Sequence, residues 1–356
     1  MGFGLRWILF AAFLANPFQS AHATATADGI PQVSVGLPRA ADPGHEARTG
    51  LPTRESLTDP AGFYSFMTVI PLNPHNNSAK WQKLNLDSID QNFIDGAAID
   101  VGWNNIEPQK NVYNWSDLDP LIKEAVAHGK KISIGIVTGG DTPDWVYMPL
   151  SQGGADVTQI TFSPYAVTPN GACEILNQPA VWEPAYVNAY SNIMAALADH
   201  LTNLTGAGFS KGDAYRSVTV VKLSGIGNTT DEMRVNAHAP GGTCTWPHGS
   251  VDHEPNAAAL WAAAGYRPAL VQAAWDAMAE ATRRFFPYKI LSLPIIPKGA
   301  FPPIDDSGEI NGVTNLNPPN PDPMTVRIMN RAVATYGKQL IVQWDALSQN
   351  QTNTHA

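Results

Sequence analysis

The sequence is short of several things, and each shortage closes off a class of function. Of its 356 residues only two are cysteine, Cys173 and Cys244, both in Gly- and Pro-rich surroundings. It has no Cys-x-x-Cys, no His-Glu-x-x-His and no other tight set of ligand residues, and its histidines are scattered. The pattern therefore calls for no metal and no other cofactor. Charged residues make up 15%, and the acidic ones prevail to give a formal charge of −9, a poor match for nucleic acid. Beyond the N-terminus no apolar run approaches the ~20 residues a membrane-spanning helix needs. The first strand-like run continues into VIPLNPHNN rather than a Gly-rich phosphate loop.

What is present begins with an export signal. Arg6, the apolar run WILFAAFLA and Ala21-His22-Ala23 have the order of a secretory leader with a small-x-small cleavage site. Residues 1–23 are accordingly expected to be removed, leaving a secreted or periplasmic protein with no membrane attachment. Export would permit a disulfide between Cys173 and Cys244. Residues 24–60 are poor in large apolar side chains and rich in Gly, Pro and Ala, the composition of a leader or linker. Residues 61–356 form the remaining domain.

That domain is organised around AAIDVGWNNIEPQKNVYNW (97–115) and the SDLDPLIKEAVAHGKKISIGI that follows. AAIDV reads as a strand buried on both faces. Trp103, Asn104, Asn105 and Glu107 crowd its end, where Pro108 has no N–H for a ladder. Ser116 is placed to cap a helix whose apolar face is Leu118, Ile122, Ala125 and Val126, and Gly129 ends it. KISIGIV is the next strand. Further strands are expected at FYSFMTVIP, SVTVVKLSGI, KILSLPIIP and KQLIVQWDAL. Helices are expected at 81–95 (Leu84, Ile89, Phe93), from Pro184 (Val187, Tyr190, Ile193, Met194, Leu197), at 267–286 (Leu270, Trp275, Met278, Phe285), and at MTVRIMNRAVATYG. ITFSPYAV suits a loop hairpin, and residues 227–265 read as a long polar loop.

Alternating strands and helices argue for parallel strands with right-handed crossovers. Turns entering the strands are short (HGKK, FPYK, YGKQ), whereas those leaving strands three, four and five are long. Large insertions on one rim are how barrel enzymes build clefts. The expected fold class is α/β of the (β/α)8 TIM-barrel type. About six βα units are visible, two fewer than a closed barrel, so the expectation is a barrel lacking its last two units.

The order of these motifs resembles the clan of barrel-fold glycoside hydrolases that contains β-galactosidases and cellulases. The likeness is best over WNNIEPQKNVYNWSDLDPLIKEAVAHGKKISIGI and continues at GGDTPDWVY, where such enzymes place an aromatic wall. The resemblance implies a secreted glycosidase acting on β-linked oligo- or polysaccharides by a two-carboxylate retaining mechanism. The alternative is a non-catalytic carbohydrate-binding barrel, or an inactive fragment of such an enzyme. The clan's acid/base is a Glu after strand four, usually preceded by Asn. In SGIGNTTDEM that implies Glu232, four residues beyond Asn228, with Asp231 as its competitor. The clan's nucleophile follows strand seven, and in this chain Asp345, after the sixth strand, is the strand-end carboxylate left to act as partner.

Trp103, Trp145, Trp182 and Trp344 offer flat apolar faces for sugar rings, or else pack in the wall, the favoured role for Trp182. Asn104 and Asn228 are candidates to bond sugar hydroxyls or to complete turns, and Asp141 to contact ligand or form a turn. Glu107 is expected to bond backbone at the strand exit.

Overall fold

The computed structural model describes residues 57–69, 79–166, 173–228, 233–235, 243–246, 249–252, 257–296, 300–311 and 323–344. In chain order its strands are β1 (Tyr64–Val69), β2 (Gly96–Gly102), β3 (Lys131–Val137), β4 (Gln159–Ala166), β5 (Cys173–Pro179), β6 (Val218–Lys222), β7 (Thr243–Trp246), β8 (Gly249–Asp252), β9 (Ile290–Ile295) and β10 (Leu340–Trp344). The α-helices are α1 (Ala79–Ile89), α2 (Trp103–Ile106), α3 (Asp119–Ala127), α4 (Pro184–Asn203), α5 (Asp213–Ser217), α6 (Ala257–Ala263), α7 (Pro268–Phe285) and α8 (Pro323–Tyr336).

Six strands pair in parallel in the order β1-β2-β3-β6-β9-β10. The order never reverses, so there is no switch point of the kind that puts helices on both faces of an open sheet. With right-handed crossovers throughout, an order that never reverses puts the helices on one side. This is (β/α)8 winding with six units seen among the described residues. The other four strands form two antiparallel hairpins, β4–β5 and β7–β8, inserted after β3 and β6.

Each strand's two faces have separate partners, as a side-chain period of two requires. On β2, Ile99 and Val101 join the apolar cluster that also holds Ile122 of α3, Tyr190 of α4, Met278 of α7 and Ile328 of α8. The alternate positions turn inward and are polar though buried: Asp100, Ser133, Lys222, Ser292 and Gln343. Lys222 Nζ lies 2.9 Å from Asp100 Oδ1 and 3.0 Å from Oδ2. It also sits 5.3 Å from the centre of the Phe66 ring. Gly135, on the strand between them, leaves the room: a Cβ there would stand 2.9 Å from both Asp100 Oδ1 and Lys222 Cδ. Ser292 Oγ and Gln343 Oε1 are 3.0 Å apart.

The amino ends of the strands are crossed by the last residues of the segment read as linker. Thr58 donates from its N–H to Tyr288 O (3.0 Å) and from Oγ1 to Thr219 O (2.6 Å). Tyr64 OH reaches Thr219 Oγ1 at 3.1 Å, spanning from β1 to β6. The linker thus gives way to docked chain before residue 61.

Most elements lie where the sequence places them, with informative exceptions. Pro184 does open α4, and Val187, Tyr190, Ile193, Met194 and Leu197 are all buried. Gly129 and Gly337 take positive φ (64° and 50°) at the ends of their helices, which glycine does without steric cost. Ser116 is not a cap: α3 starts two residues later than expected, behind Leu118, with Pro120 in its first turn. A proline preset to helical φ decides the start there. Leu84, Phe93 and Leu270 face outward, and Ile89 carries the packing of α1. The stretch expected as a loop between 227 and 265 contains β7, β8 and α6; four-residue strands are too short to show a period in sequence.

Candidate functional site

The carboxyl ends of β2, β3, β6 and β9 form one rim, and the residues there are tied to one another. At the exit of β2, Glu107 is 1% exposed. Its Oε2 accepts from Trp103 Nε1 (2.8 Å) and its Oε1 from the Asn111 N–H (2.9 Å), while its main-chain O accepts from Trp145 Nε1 (3.0 Å). Burial raises its pKa, and the bonds from Trp103 and Asn111 pull against that rise. Glu107 therefore does the backbone job expected of it and fixes two indoles besides.

Trp103 has no exposed surface. It meets Trp145, Tyr186 and Tyr190 edge-on, at centroid distances of 6.1, 5.8 and 6.2 Å. The expectation that Trp103 offers an open face to a sugar gives way to a wall position, because Glu107 draws the indole N–H inward. Trp145 is also buried, with Lys110 Nζ 6.0 Å from its ring centre. Trp182 is half-buried against Trp261 and Tyr266, the packing role favoured for it.

At the exit of β3 the chain makes a tight turn, Gly139–Asp141, pressed on the exit of β6. Gly139 has φ 69°, and a Cβ on it would lie 2.3 Å from both Gly227 O and Asn228 O. Gly140 donates its N–H to Asn228 O at 2.5 Å. Thr138 Oγ1 donates to Ser224 O (3.0 Å) and Ser224 Oγ to Ile136 O (2.6 Å), stitching β3 to the chain leaving β6. Gln178, from β5, donates through Nε2 to Gly227 O (3.2 Å) and Asn228 Oδ1 (3.0 Å), so Asn228 is held by the inserted hairpin. Tyr186 OH donates to Gly225 O at 2.9 Å.

Asp141 is fully buried within this seam, and neither carboxyl oxygen has a hydrogen-bond partner. Burial alone pushes its pKa up to about 7. Asn104 Oδ1, on α2, is likewise buried without a partner, and α2 packs on the 139–141 turn.

Beyond β6 the chain leaves β9 and returns to it. Leu223 donates its N–H to Ser292 O (2.8 Å) and Met233 donates to Pro294 O (3.0 Å). Met233 bridges in parallel to Ile295, and Ile295 pairs on its other side with Trp344 of β10. Asp231, Glu232 and Asp345 lie outside the described residues, as do the side chains of Trp344, Cys173 and Cys244 and the segment 1–23. Among the described residues no group of three or more His, Cys, Asp or Glu is placed to hold a metal, and no helix is long and apolar enough to cross a membrane. Sequence reasoning missed the Asp100–Lys222 pair and Gln178. A signal for the pair existed: AAIDV and VTVVK each carry one charge in an apolar strand, and a charge buried there must be matched.

A family model described as Beta-galactosidase matches residues 74–203. No curated protein matches the chain. Among solved structures, the catalytic domain of β-amylase from Paenibacillus polymyxa is 15% identical, with 78% of this chain and 76% of that one covered and a TM-score of 0.45. Xylanase 10B from Thermotoga petrophila, in complex with xylobiose, is 10% identical, with 64% and 48% covered and a TM-score of 0.31. The polyextremophilic β-galactosidase from Halorubrum lacusprofundi is 12% identical, with 66% and 37% covered and a TM-score of 0.35. The chain thus spans less than half the length of the last two. Over residues 74–203, which include the strand–helix–strand unit at the heart of the fold, the resemblance to barrel-fold glycoside hydrolases holds, and the pattern matched is that of a β-galactosidase family.

Proposed function

We propose that the chain is an exported glycosidase that cleaves β-linked glycosides with two carboxylates and retention of configuration. The observation that carries this reading is the arrangement about Ile295. Met233 lies against it on one side and Trp344 on the other, at the carboxyl end of β9. Two strand spacings put the backbones of Met233 and Trp344 roughly 10 Å apart. Glu232 directly precedes Met233 and Asp345 directly follows Trp344. A retaining mechanism requires the two carboxyl groups to come within ~5–5.5 Å of each other.

In this reading Glu232 holds a proton and delivers it to the leaving glycosidic oxygen as the C–O bond breaks. The Asp345 carboxylate attacks the anomeric carbon to form a glycosyl ester. Glu232 then takes a proton from water, which displaces Asp345 and restores the configuration. Asn228, Asn104 and Trp344 are assigned to hydroxyl and ring contacts. The family match over 74–203 supports a carbohydrate substrate, and the leader-like residues 1–23 support export.

The test is hydrolysis of a panel of β-linked glycosides by the full chain, with product anomers followed by NMR. Glu232→Gln is expected to lower kcat at least ~100-fold, the usual range for loss of a general acid. Absence of turnover on every member, or full activity in Glu232→Gln, would sink the proposal. Saccharide binding in calorimetry without turnover would point instead to a carbohydrate-binding barrel.

A further inference from the structure

We propose that Asp141 is a positioning residue. As a neutral acid it lets the Gly139–Asp141 turn stay pressed on residues 227–228, and its ionisation opens that seam and loosens the start of the chain leading to Glu232. The seam itself stands on geometry alone; only its effect on turnover rests on the glycosidase reading.

The turn has no freedom to turn its carboxyl elsewhere while it stays docked. Gly139 fits only because it lacks a Cβ, which would lie 2.3 Å from two main-chain oxygens, and the Gly140 N–H is bonded to Asn228 O. Inside this clamp Asp141 has no exposed surface and no donor for either oxygen. A protonated carboxyl tolerates that place. A carboxylate does not, because an uncompensated buried charge is far costlier than an uncompensated buried dipole. Burial is the cause of its raised pKa, and the value reached, about 7, puts the change of charge near neutrality.

The titratable groups on the elements packed around it offer no relief. Glu107, following α2, is taken up by Trp103 and Asn111. Tyr186 of α4 donates to Gly225 O, and Lys222 of β6 is paired with Asp100. Asp144 and Tyr147, which follow the turn, bring no positive charge. The side chains of Cys173 and Glu174 at the start of β5 lie outside the described residues. The cheapest escape for the ionised group is to part the Gly140–Asn228 bond and admit water. That bond lies one residue before the segment 229–232.

Amide hydrogen exchange of the full chain between pH 4 and 9, corrected for the intrinsic rate, reads the seam directly. In the wild type, protection over 138–142 and 227–228 is expected to fall by up to about tenfold per pH unit between about pH 4 and 7, the slope of a single coupled proton, and to level off above. In Asp141→Asn, which keeps the shape and cannot ionise, protection is expected to stay level. If Asp141→Asn does not fold, the wild-type profile alone decides: constant protection from pH 4 to 7 overturns the proposal. So does an equal fall in both proteins. In turnover, the alkaline limb of kcat is expected to be complete by about pH 7 in the wild type and to lie higher in Asp141→Asn. A chain with no glycosidase activity but with the expected exchange profile would defeat the functional reading and leave the seam intact.

Discussion

Replacing Lys222 by methionine tests how the inner face of the sheet is held. Lys222 and Asp100 face each other at 2.9 Å with side chains 0% and 2% exposed. Methionine keeps the apolar stem and removes the ammonium, so the Asp100 carboxylate stays in its buried place without its cation. Two charges at that distance attract by about 6 kcal/mol at an effective dielectric of about 20. Taking them out of water costs several kcal/mol each, so the intact pair is worth little on balance. Losing one member is different, and Lys222→Met is expected to cost about 3–5 kcal/mol. Removing both, in Asp100→Leu/Lys222→Met, should restore most of that loss, since neither charge is then stranded. Urea denaturation at pH 7, with m-values compared to confirm two-state behaviour, measures all three proteins. A loss under about 1 kcal/mol in the single variant, or a double variant no more stable than the single, would refute the reasoning.

Asp141 makes a second prediction, about stability rather than local opening. Its pKa is raised from 3.8 to about 7 on folding, so between those values the native chain binds more protons than the unfolded one. Stability therefore falls as pH rises from about 4 to about 7 and levels off above. At about 1.4 kcal/mol per pH unit this amounts to about 4 kcal/mol, which should appear as the growing gap to Asp141→Asn in denaturation at pH 4 and pH 7. Glu107→Gln leaves one of two buried donors, Trp103 Nε1 or the Asn111 N–H, without an acceptor. It should cost about 1–3 kcal/mol and change the near-UV circular dichroism of the indoles; an unchanged spectrum would count against the assigned bonds. Gly139→Ala drives a methyl into two main-chain oxygens at positive φ and should lower the melting temperature by several degrees, with a loss of about 2 kcal/mol or more. Cys173 and Cys244, if paired on export, should leave the chain two hydrogens lighter before reduction than after, by intact mass.

The strands and long helices were legible because their signals are local. KISIGIV and VTVVK announce buried strands in a few residues, and α4 repeats its apolar face from Tyr186 to Leu201. What stayed hidden depends on residues far apart in the chain. Lys222 finds Asp100 across 122 positions, and Gln178 finds Asn228 across 50. Trp103 and Trp145 looked open because polar residues flank them, yet Glu107 takes both indole N–H groups, one on its carboxylate and one on its main-chain O. Asp141 was recognisable as a strand-end carboxylate, but its lack of partners is a property of the packed turn and has no trace in GGDTPDW.

The path of the chain between β6 and Met233 has a consequence for how this protein can change. Leu223 and Met233 are both moored to β9, at Ser292 and Pro294, two residues apart. Residues 224–228 on the way are bonded to β3, α4 and β5, so the detour between the moorings can be lengthened without disturbing the sheet only after Asn228 and before Met233. Doubling such a detour costs only about 0.6 kcal/mol in closure entropy. New chemistry can be tried there by insertion while the scaffold keeps its register.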